Sequence, residues 1–249
     1  MGIKIEEGNP IDKIFILRKI YAMSSLPETL AQTPFYPIMG INLTELNTRN
    51  LDFSPNNPEL EHLDLSNTAA FDGYVSGLLE SEGKDFGIGG YFEKRAIYRR
   101  SAVFATAEED FRDIHLGIDI WGAAGSPVFA PLEGKVHSFQ DNAGFGNYGP
   151  TIILEHALKG FSFYTLYGHL SRADIRDLEV GKVIAAGSEF CRLGPYPENG
   201  DWPPHLHFQV MVDLLGMKGD FPGVCSHREI EKYRRICLDP NLLIGFPKN

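Results

Sequence analysis

The pattern of hydrophobic and polar residues changes near residue 87. Before this point, apolar side chains at three- and four-residue spacing predict a helix over Asp12–Ser24, and a second helix is predicted over Ala69–Glu82, ended by Gly83. Prolines break the intervening stretch into turns and extended pieces. We therefore predict that residues 1–86 form an accessory segment that packs on the rest of the chain and partly covers its groove. Its apolar residues that need burial are Leu43, Leu46, Phe53, Leu60, Leu63 and Phe71.

After Gly87 the pattern changes to short strands separated by glycine and proline, and residues 87–249 are assigned to a second domain. Many short strands at close spacing predict a mainly β fold, a sandwich or a barrel. The predicted strands are Pro127–Ala130, Gly134–Phe139, Thr151–Glu155, Phe161–Leu170, Lys182–Ile184, Phe190–Leu193 and His205–Val212.

Composition narrows the classes of function. The chain has 249 residues, 43% of them hydrophobic, as expected of a packed globular protein. A net charge of −10 argues against nucleic acid or an anionic membrane surface as the main partner. Charged residues interrupt the apolar stretch Ile11–Met23, so neither a signal peptide nor a membrane-spanning segment is predicted.

Cysteine usage bears on the compartment. The three cysteines, Cys191, Cys225 and Cys237, are odd in number and lack CxxC spacing, so they predict free thiols instead of a disulfide framework or a cysteine zinc site. Thiols and the missing leader together predict a cytoplasmic protein, or a periplasmic or extracellular one if a leader has been removed.

Three short blocks carry the candidate chemistry: His115-Leu-Gly-Ile-Asp119, Tyr167-Gly-His169-Leu and His205-Leu-His207-Phe. Side chains alternate along a strand, so His205 and His207 point the same way. His115 and Asp119 share a face on a strand or on one helical turn, and the neighbouring glycine and β-branched residues favour the strand. Catalytic zinc takes three nitrogen or oxygen ligands and leaves a fourth position for water. His115, Asp119 and His207 would supply such a set.

Together with Gly125–Pro131 and Gly134–Val136, these blocks resemble the M23 (lysostaphin and LytM type) zinc metallopeptidases over roughly residues 87 to 215. The resemblance implies a folded antiparallel β-sheet with Zn²⁺ in a groove. It also implies a metallo-endopeptidase, which hydrolyses a peptide or related amide bond through a zinc-activated water. It implies His115, Asp119 and His207 as metal ligands and His169 and His205 as catalytic residues. Either catalytic histidine can serve as the base.

A narrower resemblance involves residues 89–95, Tyr98-Arg99-Arg100 and Trp202-Pro203-Pro204. These are similar to the M23-type segment of some large intracellular proteins fused to a class III aminotransferase domain. The expected substrate is therefore a peptide or a peptide-like compound, and a peptidoglycan peptide is one candidate.

Two alternatives stay open beside the hydrolase. The first is a metal-binding regulatory or interaction domain with an M23 fold and no peptidase substrate. The second is a histidine phosphocarrier, against which Asp119 argues because a carboxylate would repel the phosphate. The other histidines have structural assignments: His156 a structural or ligand-orienting role, and His62, His137 and His227 surface or packing roles.

Overall fold

The computed structural model describes residues 25–105 and 111–247. The strands are β1 (Thr48–Asn50), β2 (Phe86–Gly89), β3 (Ile114–His115), β4 (Ile118–Trp121), β5 (Pro127–Phe129), β6 (Gly134–Asn142), β7 (Gly149–Leu158), β8 (Phe161–Gly168), β9 (Val183–Ile184), β10 (Glu189–Arg192), β11 (His205–Met211), β12 (Val224–Cys225) and β13 (Cys237–Leu238). The helices are α1 (Thr68–Glu82), α2 (Arg172–Arg176), α3 (Ile230–Arg234) and α4 (Asn241–Ile244), and residues 25–31 are also helical. Single 3-10 turns occupy Pro58–Glu61, Ala96–Arg100, Ala102–Phe104 and His227–Glu229. The predicted mainly β fold is confirmed, whereas the helix predicted over Asp12–Ser24 lies outside the described residues.

One large sheet organises the molecule. Its order is β1-β2-β4-β11-β8-β7-β6-β9, with β13 paired to β11. Each neighbouring pair is antiparallel except β1 and β2, which are parallel. Among the described residues the order ends at β1 and β9, so the sheet stays open and is not a barrel. The same residues also form two small sheets, β5 with β10 and β3 with β12.

Strand β11 shows how the sequence pattern positions side chains. Leu206 and Phe208 pack into the main hydrophobic core. His205 and His207 alternate with them and lie on the opposite face. All seven residues of β11 are nevertheless buried, so the two imidazoles need partners other than water.

The helix predicted over Ala69–Glu82 is confirmed, with one additional residue at its start. The Asn67 side chain accepts a hydrogen bond from the Ala70 amide and caps the first turn. Gly83 ends the helix with a φ of 62°, the left-handed conformation that favours glycine. On the buried face, Phe71 and Val75 join a second hydrophobic core, which also contains Trp121, Trp202 and Phe104.

Most of the apolar residues predicted to need burial are inside. Leu43, Phe53, Leu60 and Phe71 are buried and Leu63 is partly buried. The prediction for Leu46 is wrong, because its side chain is 88% exposed. Leu46 lies in a turn in which the amides of the next two residues both donate to the Thr44 carbonyl, and this turn projects the side chain into solvent.

The division between residues 1–86 and 87–249 stays a prediction. Strand β2 lies across it and pairs with β1 on one side and β4 on the other. Residues from both parts share the main core, including Leu26, Leu30 and Leu238. None of the described helices is long and apolar enough to span a membrane.

Candidate metal centre and adjoining cavity

The three predicted metal ligands meet in one buried cluster. Nε2 of His115 lies 2.9 Å from Nδ1 of His207 and 3.2 Å from Oδ1 of Asp119. Oδ1 of Asp119 lies 3.0 Å from Nδ1 of His207. The side chains are at most 4% exposed. One atom from each residue thus contributes to a nearly equilateral triangle.

A hydrogen bond on the outer side of His115 fixes which nitrogen faces the cluster. Nδ1 lies 2.9 Å from the carbonyl oxygen of Gly90, and because a carbonyl only accepts, Nδ1 carries the hydrogen. Burial, followed by the positive charge of Arg95, lowers the pKa of His115 to about 3. The ring is therefore neutral, and its Nε2 presents a lone pair to the cluster.

His207 is oriented in the same way by Gln209. The amide nitrogen of Gln209 donates to the carbonyl oxygen of Pro222 at 3.2 Å, which sets the direction of the amide group. Its Oε1 then lies 2.9 Å from Nε2 of His207 and accepts that hydrogen. With that hydrogen on Nε2, Nδ1 is the His207 atom that faces the cluster.

Asp119 is held from outside by Arg95. Nη1 of this buried arginine donates to Oδ2 of Asp119, which leaves Oδ1 for the cluster. Arg95 Nε donates to Glu93 at 2.7 Å, and the guanidinium lies 5.5 Å from the Trp121 ring. Burial acts to raise the pKa of Asp119, but the interactions with its neighbours, including the positive charge of Arg95, outweigh burial and hold this pKa well below the usual range. The carboxylate is therefore ionised.

Three lone-pair atoms facing one another, with no hydrogen between them, repel unless a cation lies among them. Ligands at about 2.0–2.2 Å from a tetrahedral zinc ion stand roughly 3.3–3.6 Å apart, slightly more than the separations of 2.9, 3.0 and 3.2 Å in this cluster. An outer partner on each ligand is also typical of metal sites. The residues present therefore fit a divalent metal ion.

The sheet pairing explains how the three ligands meet. Asp119 lies opposite His207 in the antiparallel pair of β4 and β11. His115 comes from β3, which pairs with β12 in a separate small sheet. The chain passes between the two sheets at Gly117, where a Cβ atom would lie 2.6 Å from the Phe208 carbonyl oxygen and 2.7 Å from Nε2 of His207. The strand expected over His115–Asp119 is thus two short strands, joined where only glycine fits.

The two predicted catalytic histidines lie side by side next to the cluster. Their ring centroids are 4.1 Å apart, and the ring of His169 is 6.3 Å from that of His207. Nδ1 of His169 donates to the Asn199 carbonyl and Nδ1 of His205 donates to the Pro203 carbonyl, both at 2.7 Å. Nε2 of each ring is left for the cavity that both residues line.

Both rings are held neutral. Burial lowers the pKa of His205 to about 4, and burial together with the adjacent His205 lowers the pKa of His169 well below its usual value. His169 also has a φ of 62°, which is uncommon for a residue with a side chain. Its amide donates to the Tyr148 carbonyl and its carbonyl accepts from Gly194. These bonds maintain a strained conformation of the kind found at functional sites.

A cavity of about 340 Å³ adjoins the cluster. Asp119, His207, His169 and His205 contribute to its lining. Most other lining residues are aromatic or aliphatic, and they include Phe71, Tyr98, Phe104, Trp121, Tyr148, Trp202 and Phe221. The volume falls in the range of small-molecule sites, about 300–1,000 Å³. The arrangement can therefore hold a small substrate beside a metal ion and two neutral imidazoles.

His156 lies apart from this site. Its Nδ1 lies 2.8 Å from the Glu133 carbonyl and its Nε2 lies 2.7 Å from the Thr165 hydroxyl. The ring stacks on Phe163 with 4.9 Å between centroids. Both nitrogens are used within the sheet, which supports the structural role favoured from the sequence. The remaining histidines are exposed (His62, His227) or half-buried (His137).

Sequence reasoning missed the residues that hold the ligands from outside. Gln209 had a detectable signal, because it continues the alternation of His205 and His207 on the same face of β11. Arg95 lies within the segment 89–95 of the narrower resemblance, which gave it no role, and Tyr148 had no signal. Arg95 is 24 residues from Asp119 along the chain. Tyr148 is 59 residues from His207, and its hydroxyl lies 3.3 Å from Nε2 of His207.

The donor set, the two adjacent histidines and the cavity define a candidate site for metal-dependent hydrolysis. Residues 113–218 match the family model of Peptidase family M23, which confirms the resemblance inferred from the motifs. The match supports a metallopeptidase or a related hydrolase.

Two curated relatives carry peptidase names. A Haemophilus influenzae protein named "Uncharacterized metalloprotease" is 28% identical over 99 residues, which cover 40% of this chain and 19% of that protein. The Vibrio cholerae "Peptidoglycan DD-endopeptidase ShyB" is 29% identical over 111 residues, 43% of this chain and 24% of that protein. The solved catalytic domain of lysostaphin from Staphylococcus simulans has 27% identity and a TM-score of 0.33, and the match covers 48% of this chain and 80% of that one. The chain thus spans about a fifth to a quarter of the length of the two curated relatives.

Proposed function

We propose that the protein is a zinc-dependent hydrolase that cleaves a peptide or a related amide bond. The observation that carries the proposal is the convergence of three lone-pair atoms, from His115, Asp119 and His207, beside two neutral imidazoles. The family match over residues 113–218 supports the same class of reaction. When bound, zinc supplies a Lewis acid that lowers the pKa of water and polarises a carbonyl oxygen.

The protein's own residues supply the remaining functions. The three ligands hold the ion and leave a fourth position open. His169 and His205 offer Nε2 lone pairs to the cavity, and either can accept the proton of the attacking water and deliver it to the leaving amine nitrogen. Because burial lowers both pKa values, the base form is present at neutral pH. Aromatic side chains around these groups exclude bulk water.

Metal content and hydrolysis test the proposal together. Untagged protein should contain about one equivalent of zinc by elemental analysis and should release new amines from a set of peptides, among them peptidoglycan peptides. His207→Ala should lose most of the metal and the activity, whereas His62→Ala, an exposed control, should retain both. Full zinc occupancy in His207→Ala would refute the ligand assignment.

A second candidate is a metal-binding regulatory or interaction domain without a peptidase substrate. The apolar side chains around the cavity favour it, because Phe71, Tyr98 and Phe104 come from outside the family-matched residues and restrict the space beside the metal cluster. One equivalent of zinc without hydrolysis of any peptide would support this candidate.

We also propose that the protein acts inside the cell, on a soluble peptide-like or amino-compound substrate, with little activity on intact cell wall. Cys191, Cys225 and Cys237 are buried and form no disulfide within the described residues, as suits a reducing compartment. The net charge of −10 gives no attraction to an anionic wall. One curated relative is named a peptidoglycan endopeptidase, so muropeptide release by the zinc-loaded protein, together with export of the native full-length product, is the result that would overturn this proposal.

A further inference from the structure

We infer that the cavity is a closed-ended pocket that accepts one end of a short peptide, or a small amide, and that an extended chain cannot cross it. This inference rests on the proposed hydrolase function. It adds that the substrate is short and that one of its ends enters the pocket. It comes from the contacts around the perimeter of the cavity, which link each side to the next.

The first side is the wall, defined as residues 97–104, which precede the family-matched segment. Ile97, Tyr98, Val103 and Phe104 contribute its lining side chains. Arg100 holds the wall against the rest of the molecule: Nη2 donates to Thr68 at 2.8 Å and to the Asp201 carbonyl at 3.0 Å. Its guanidinium also lies 4.5 Å from the Trp202 ring and 4.6 Å from the Phe145 ring. These contacts fix the wall to helix α1 and to two loops.

The second side is the loop over residues 143–148, which contacts the wall directly. The Ser101 hydroxyl donates to the Phe145 carbonyl at 3.2 Å. Gly146 packs so closely on Ser101 that an added Cβ atom would lie 2.8 Å from the serine Cβ. At its far end this loop meets the third side, residues 217–224, because a Cβ atom on Gly223 would lie 1.9 Å from the Tyr148 hydroxyl.

Val224 and Arg112 join the third side back to the wall. Val224, on the third side, belongs to the same hydrophobic core as Tyr98 and Phe104 of the wall. The Arg112 amide donates to the Phe104 carbonyl at 3.0 Å, and its Nη2 donates to the Val103 carbonyl. The described residues therefore form a continuous perimeter around the metal cluster and the two catalytic histidines.

A perimeter of this kind limits both the size and the direction of the substrate. An endopeptidase must let the chain leave on both sides of the scissile bond, whereas a closed-ended pocket leaves an exit at its mouth only. The volume of about 340 Å³ lies near the lower limit of small-ligand pockets. The aromatic lining favours uncharged side chains on the enclosed part of the substrate.

Phosphinic pseudopeptides of different length test the inference, because the phosphinate binds zinc and can be extended on both sides. The probes are an alanyl-alanine phosphinic dipeptide and the same core with two further alanines on each side. Calorimetry with the zinc-loaded full chain should show the dipeptide binding at least 10-fold more tightly than the extended probe. Equal or tighter binding of the extended probe would overturn the pocket.

Variants of the wall test its effect on the length penalty, defined as the factor by which the extended probe binds more weakly than the dipeptide. Val103→Gly removes a half-exposed lining side chain and Ser101→Ala breaks the link to Phe145. Each should reduce the penalty at least 3-fold, whereas Val180→Ala, at an exposed position that does not line the cavity, should leave it unchanged. An unchanged penalty in both wall variants would overturn the inference.

Failure of the pocket and failure of the hydrolase give different results. Preference for the short probe without hydrolysis of any peptide leaves the pocket in place and refutes the hydrolase. Internal cleavage of long peptides at the rate of short ones leaves the hydrolase in place and refutes the pocket.

Discussion

Buried histidines occur in two regions of the same β structure, and their hydrogen bonds differ. In His156 both nitrogens have partners within the protein. In His115 and His207 one nitrogen has an outer partner, and the other faces a point shared with Asp119. Burial alone therefore does not separate structural from functional histidines. The two kinds of histidine differ in the number of ring nitrogens that have a hydrogen-bond partner within the protein.

This difference has an energetic consequence. A buried polar atom without a partner costs about 1–3 kcal/mol. The paired nitrogens of His156 avoid that cost, whereas the inward atoms of the cluster bear it until a cation binds. Metal binding to the folded state should accordingly stabilise the protein.

The largest expected effect is a loss of rate in variants of His169 and His205, which separates proton-transferring histidines from metal-binding ones. His169→Ala and His205→Ala should each lower the rate by roughly 10²- to 10⁴-fold while zinc content stays near one equivalent, because these imidazoles move protons and do not hold the ion. Single-turnover kinetics and elemental analysis measure the two quantities. Loss of stoichiometric metal in His205→Ala would place this residue among the ligands and refute its assignment.

A smaller effect is expected at Arg95, which holds Asp119 from outside. Arg95→Met should weaken zinc affinity roughly 10- to 100-fold, since an outer partner orients a ligand without replacing it. Chelator competition measures the affinity, and circular dichroism checks the fold. Arg95→Lys should recover part of the loss, and Lys94→Met, whose side chain is 60% exposed, is the matched control. Unchanged affinity in a folded Arg95→Met would show that Asp119 needs no such support.

The sequence predicted what local periodicity determines. The alternation in β11 placed His205 and His207 on one face, and glycine marked the end of α1. It did not predict Arg95 beside Asp119, the wall over the cavity or the exposure of Leu46, because these depend on contacts between distant segments or on the direction of a turn. The positive φ of His169 was also invisible, since the surrounding hydrogen bonds impose it and local propensity does not.

The smallest effect on activity is expected at His156, where pH tests the structural half of the comparison. Burial lowers the pKa of His156 to about 4 from an unfolded value of 6.5. Between these pH values the unfolded chain binds more protons, so stability is present above pH 6.5 and falls as the pH drops toward 4. Below pH 4 both states are protonated and this loss stops.

His156→Gln removes this titration while retaining an amide that can bond within the sheet. Between pH 7 and pH 5, wild-type protein should lose about 2 kcal/mol more unfolding free energy than the variant. Denaturant unfolding at both pH values measures the difference, with exposed His62→Gln as the control that should follow wild type. Zinc content and the rate at pH 7 should stay near wild type in His156→Gln, since neither nitrogen of this ring faces the cluster. Equal pH dependence in wild type and His156→Gln, or loss of metal from the variant, would remove the distinction between the two kinds of buried histidine.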